Sequence, residues 1–211
     1  MGRSRGRCRG FLAWLALGCA SCGSYQGPRG EPPAQEEAED PGPPLVNVTF
    51  VSALISPAKQ SGCQWDGLEC NEGDVAKALA QVTDALGQTS YKAVLSTVAI
   101  ASQALEQPDP GGVAVLFLHG HATSLDLEKK QDSFTPTWNA EWDGVPLDRS
   151  LRLRVTLVDR DLRHDDDMGS FEVPFQTLEA AHKAGRVAYV HVAEQTYNQV
   201  LLAGISVFDA E

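Results

Sequence analysis

Along the chain the spacing of apolar positions changes several times, and each change marks an element. Val46-Asn47-Val48-Thr49-Phe50-Val51 alternates apolar and polar residues with β-branched character, which predicts a half-buried strand that ends at Ser56-Pro57. From Asp74 the recurrence turns helical at Val75, Leu79, Val82 and Leu86, with Asp74 placed to cap the start and Gly87 to end it. Thr89-Ser90 can cap a second helix with the stripe Val94, Val98, Ala101 and Leu105. Such stripes are packing faces far more often than cofactor boxes, so the two segments predict a helical hairpin laid on the core, inserted over about residues 56–107.

Beyond Gln107-Pro108-Asp109-Pro110-Gly111-Gly112, strand patterns dominate: 113–118, 151–158, 171–173, 188–192 and 200–208. Short strands separated by Gly, Pro and Asp turns predict an all-β antiparallel sandwich. Residues 177–185 read as a short surface helix between two strands. The folded domain therefore spans 45–211.

Upstream of Leu45 the composition is different. Residues 23–44 are rich in Gly, Pro and Glu and include the run Glu36-Glu37-Ala38-Glu39-Asp40, which predicts a disordered, solvated tether. Arg3, Arg5, Arg7 and Arg9 form a basic head, an apolar run covers 11–17, and Gly18 and Cys19 end it, the layout of a secretory signal. The run is too short for a bilayer, which needs about 20 residues. Leu15-Ala16-Leu17-Gly18-Cys19 resembles the bacterial lipobox. That resemblance implies that 1–18 are removed, that Cys19 is lipidated, that 19–44 are a linker, and that the protein is held at a membrane of the bacterial cell envelope. Ordinary cleavage near Ala20, with release, is the alternative.

A length of 211 residues, with 43% hydrophobic and 21% charged residues, fits one globular domain plus an extension. The net charge is −11 although four of the 17 basic residues lie in the first nine positions, so the body is more acidic still. An acidic body argues against nucleic acid as a partner, because phosphate binding relies on basic side chains. It opposes anionic membranes too, unless a bound cation reverses the local sign. Cys63 and Cys70 bracket a six-residue segment, 64–69, and in an exported protein they read as a disulfide. A zinc knuckle would need two further ligands nearby.

The segment Thr135-Pro136-Thr137-Trp138-Asn139-Ala140-Glu141-Trp142, then Leu151-Arg152-Leu153-Arg154-Val155-Thr156-Leu157-Val158-Asp159-Arg160-Asp161, then Asp167-Met168-Gly169, resembles the C2 domain, the calcium- and phospholipid-binding β-sandwich. Asp109-Pro110 before strand 113–118, the strand 46–55 and the strand 201–208 resemble further parts of it. The resemblance covers 46–55 and 109–208 and leaves the cysteines and helices as an insertion where the family has its first ligand loop. Where the family carries another aspartate shortly before Asp-Pro, this chain has Gln103, and its loop from Asp159 to Gly169 is one residue short.

Asp159, Asp161, Asp165, Asp166 and Asp167 crowd one loop, and unit charges about 4 Å apart repel by roughly 1 kcal/mol even in water. A hard cation with six to eight oxygen ligands relieves this, and Ca2+ suits such a loop better than zinc. The expected ligands are Asp109, Asp159, Asp161 and members of Asp165–Asp167. A solvated acidic loop is the alternative. His119 and His121 are expected on one strand face, with no third metal ligand beside them, and His164 as a solvated member of the acidic loop. Trp138 and Trp142 are expected to pack. No nucleophile elbow, phosphate-cradling loop or metalloprotease helix is present, so the expectation is a binding module and not an enzyme. Anionic phospholipid or an envelope protein is its expected partner; the alternative is a calcium-independent interaction lipoprotein using the sandwich as scaffold.

Overall fold

The alternating segment at the start of the domain becomes β1 (Leu45–Ile55), which stops before Ser56-Pro57 as expected, and its second half, 52–55, is buried throughout. The computed structural model describes residues 42–211 except 60, 67–71, 87–90, 102–104, 162–164 and 193–198. The expected signal, Cys19, nearly all of the expected tether, Cys70, Gly87, Thr89-Ser90, Gln103 and His164 lie outside the described residues.

After β1 come α1 (Glu72–Leu86) and α2 (Tyr91–Ala101), then β2 (Pro110–Leu118), β3 (His121–Leu127), β4 (Thr137–Pro146), β5 (Arg152–Asp159) and β6 (Asp166–Val173). The chain closes with α3 (Phe175–Ala184), β7 (Ala188–His191) and β8 (Val200–Asp209). Two four-stranded sheets result, ordered β4-β1-β8-β7 and β3-β2-β5-β6, and every strand pairing is antiparallel. This is the antiparallel sandwich that the resemblance implies, with helices α1 and α2 inserted between β1 and β2.

Alternation decides which side chains enter the core. On β5, Leu153, Val155 and Leu157 are buried while Arg152 and Arg154 face water. Val46, Val48 and Phe50 of β1 join them in one apolar cluster with Ala114, Leu116 and Phe171. Each fully buried Val, Leu or Phe contributes about 1.5–3 kcal/mol. Phe50 stacks on Trp138 at 5.4 Å and meets Phe171 at 6.2 Å, so Trp138 packs as expected, and Trp142 is buried.

The helical stripes reach the same cluster through Val75, Ala78, Val82, Ala85, Val94 and Val98. Asp74 lies inside the first turn of α1 and not before it, since the helix begins at Glu72. Leu105 is buried beyond the end of α2. Helix α3 starts earlier than predicted, directly after Pro174, and stops where Gly185 turns left-handed and donates its N–H to the His182 carbonyl.

The histidine pair requires a correction. Leu118 pairs with His121, leaving His119 and Gly120 as a two-residue hairpin turn with φ of 51° and 82°. Positive φ at both positions is the type I′ geometry that matches strand twist. His119 and His121 therefore do not share a strand face. His119 Nε2 lies 3.1 Å from Asp148 Oδ1.

Candidate metal centre

The site begins where β5 runs out. Asp159 is the last residue of that strand, held between Pro110 of β2 and Asp166 of β6, and its side chain has 0% exposure. Burial of a carboxylate needs compensation, and Asp159 receives half of it. Its Oδ1 accepts the Asp109 N–H at 2.6 Å, whereas Oδ2 is buried with no hydrogen-bond partner.

Asp109 sits immediately before β2. Its Oδ1 accepts the Asp132 N–H at 2.9 Å, its backbone carbonyl accepts the Arg160 N–H at 3.0 Å, and its Oδ2 forms an ion pair with Lys129. Asp66 arrives from the segment after β1. That segment is anchored by Trp65, fully buried, whose Nε1 donates to the Ser56 carbonyl at 2.8 Å. A single buried tryptophan thereby delivers an acidic residue to the end of the sandwich.

Two groups of three carboxylates converge here, Asp66 with Asp159 and Asp161, and Asp66 with Asp109 and Asp132, the ligand oxygens of each group within 4.8 Å of one another. Asp66 belongs to both. The two groups join three residues expected from the sequence, Asp109, Asp159 and Asp161, to two that were not, Asp66 and Asp132. Among the described residues, Asp165, Asp166 and Asp167 join neither group. Asp165 is exposed, Asp166 is tied to Lys59 at 2.5 Å, and Asp167 Oδ1 accepts the Gly169 N–H at 2.7 Å. The Trp65-Asp66 pair after a strand, in a chain lacking an aspartate shortly before Asp-Pro, is the signal by which Asp66 was discoverable. Asp132, on a loop with φ of 49°, had no such signal.

Proton affinities report the crowding. Burial pushes the Asp159 carboxyl up from 3.8 to about 6, against the pull of the Asp109 N–H and with the negative charge of Asp161 adding to it. Asp66 is exposed, and partial desolvation, the charges of Asp159, Asp161 and Asp109 and a hydrogen bond with Asp161 raise it to about 7. Asp109 goes the other way. Its desolvation would raise it, yet the bond from Lys129, the Asp132 N–H and the Lys129 charge hold it below the ordinary value. Each ionised pair at such distances costs between about 1 kcal/mol in water and about 4 kcal/mol near a protein surface.

The donor set is all oxygen, the carboxylates of Asp66, Asp109, Asp132, Asp159 and Asp161. Nitrogen and sulfur, which zinc prefers, are absent from both groups. The unmet Asp159 Oδ2 is an acceptor that a cation would satisfy. Carboxylates from separate loops can wrap Ca2+ without the strict octahedron that Mg2+ demands. The residues present therefore fit calcium.

No protein-family model matches the chain, and no curated protein matches it. Some solved structures are similar to it. A C2 domain of plant extended synaptotagmin 1 aligns over 80% of this chain and 95% of its own, with 11% identity and a TM-score of 0.42. Human GIVD cytosolic phospholipase A2 aligns over 81% of this chain at 12% identity and a TM-score of 0.41, and the chain spans only 18% of that protein's length. The calcium-bound pair of C2 domains from extended synaptotagmin 2 aligns over 79% of this chain and 46% of its own, with 14% identity and a TM-score of 0.39. Identities this low transfer no residue role, so the metal centre stands on its own geometry.

Proposed function

We propose that this chain is a calcium-dependent binding module, tethered to a bacterial envelope membrane through Cys19, whose acidic end takes calcium and then an anionic phospholipid headgroup. The observation that carries the reading is the fully buried Asp159, one oxygen of which has no partner, facing a cluster of further carboxylates. Without a cation the acidic end repels an anionic surface; with one bound it presents positive charge to phosphate. Asp66, Asp109, Asp159 and Asp161 would hold the ion, and Asp132 positions Asp109 through its backbone N–H. An envelope protein meets abundant calcium, so an affinity on the order of 10⁻⁴ to 10⁻³ M suffices, as in other extracellular sites.

The test is sedimentation of the protein with phosphatidylglycerol-containing vesicles, with millimolar calcium and then with chelator. Calcium-dependent pelleting supports the reading; pelleting that ignores chelator contradicts it. Detergent-phase partitioning of Cys19→Ser tests the anchor independently, with loss of partitioning expected. A second reading, calcium-independent protein interaction through the inserted helices, draws on Ile100, 65% exposed on α2. It predicts melting behaviour indifferent to calcium.

A further inference from the structure

We infer that Lys129 is a tethered cation that competes with calcium for the acidic end of the sandwich and so sets the affinity of the site; the inference rests on the calcium reading above. Lys129 lies just past β3, and its ammonium donates to the Arg160 backbone carbonyl at 2.7 Å while pairing with Asp109. A carbonyl oxygen and a carboxylate oxygen are donors of the kind that a hard dication collects. The ammonium thus stands where a cation is held.

The surrounding backbone keeps it there. The Lys130 N–H donates to the Pro110 carbonyl at 2.8 Å, pinning the loop beside Lys129 to the start of β2. The Arg160 N–H donates to the Asp109 carbonyl at 3.0 Å, so both acceptors of the ammonium belong to one rigid corner. Asp159 and Asp161 add attraction from farther away. Lys59, also near this end, pairs with Asp166 and lies 5.8 Å from the Trp65 ring; its charge reaches Asp159, but it makes no ion pair with Asp109.

One ammonium cannot do what a dication does. It satisfies one oxygen of Asp109 and leaves Asp159 Oδ2 without a partner. Calcium that reaches Asp109 must displace the ammonium or bear its repulsion, and either cost weakens binding. Release of Lys129 and capture of calcium are therefore linked, each favouring the other by the same factor.

The test uses the full chain in three forms, wild type, Lys129→Met and Lys129→Arg, titrated with calcium chloride by calorimetry at pH 7.5 and constant ionic strength. Lys129→Met keeps the length and removes the charge, and should bind calcium about tenfold tighter, within the usual range of coupling between ligands. Lys129→Arg should stay near wild type. In a second arm, wild-type protein is acylated with an amine-reactive ester and mapped by mass spectrometry, with Lys130 as internal reference. Calcium should raise Lys129 labelling towards that of Lys130. If wild type binds calcium while Lys129→Met binds no tighter and Lys129 labelling does not move, the competition is wrong and the calcium site survives. If neither wild type nor Lys129→Met takes calcium, the site itself is wrong and the competition falls with it.

Discussion

Replacing Asp159 with asparagine keeps the shape of the side chain and removes a charge that the fold leaves half-compensated. One asparagine oxygen can still accept the Asp109 N–H, now 2.6 Å from Oδ1, and the new amide N–H groups face the carboxylates of Asp66 and Asp161. The folded state raises the Asp159 pKa from 3.8 to about 6, so it holds the proton more tightly than the unfolded chain does. Stability from this group is fully present below pH 3.8 and is lost as pH rises through about 6. At about 1.4 kcal/mol for each unit of pKa, the ionised carboxylate costs the calcium-free fold at most about 3 kcal/mol at pH 7.5. For a domain of this size that corresponds to about 6–12 °C in melting temperature. Scanning calorimetry in chelator at pH 7.5 should therefore place Asp159→Asn above wild type by up to this amount, and the two should converge near pH 4. Calcium at a hundredfold excess over its dissociation constant should stabilise wild type by about 2.7 kcal/mol and leave the variant unmoved. A variant that melts below wild type in chelator at pH 7.5 would refute the uncompensated carboxylate.

Other consequences follow from the same contacts. Calcium stabilisation of wild type should grow between pH 5 and pH 7.5, because Asp66 and Asp159, raised to about 7 and about 6, must lose their protons before they can ligate; melting curves at several pH values with fixed calcium read this out. Trp65→Ala should destabilise by about 3–5 kcal/mol in chemical denaturation, and should weaken calcium binding besides, since Trp65 anchors the segment that carries Asp66. Gly112→Ala should cost at least about 3 kcal/mol, because Gly112 has φ of +151° and an added Cβ would come 2.1 Å from the Thr156 carbonyl oxygen. A peptide map of nonreduced protein from native membranes should recover Cys63 joined to Cys70.

The parts of the fold that were legible in the sequence are those where one face is dry and the other wet. Strand β5 alternates cleanly between buried Leu153, Val155, Leu157 and exposed Arg152, Arg154, and Val75, Val82, Val94 and Val98 declare their helices by spacing. Strand β3 was hidden because nearly all of His121–Leu127 is exposed and only Leu127 is buried; an edge strand without an apolar stripe has no period to detect. The hairpin before it was hidden because His119 takes a positive φ usually signalled by asparagine or aspartate. In the metal centre, Asp159 and Asp161 were visible because alternate positions at a strand end point together. Asp66 carried only the Trp65-Asp66 pair as a signal, since a buried tryptophan and not local spacing brings it in. Asp166 and Asp167 were expected in the cluster, but a lysine holds one oxygen of the first and a backbone amide one oxygen of the second, which composition alone cannot foresee.

The most direct test of the central claim is a calcium titration of the full chain by isothermal calorimetry at pH 7.5, run beside the Asp159→Asn, Asp161→Asn double variant. The account predicts a saturable heat for wild type with a dissociation constant on the order of 10⁻⁴ to 10⁻³ M and none for the variant. Wild-type protein that gives no heat up to about 10 mM calcium, ten times the weak end of that range, or a double variant that binds as wild type does, would contradict it.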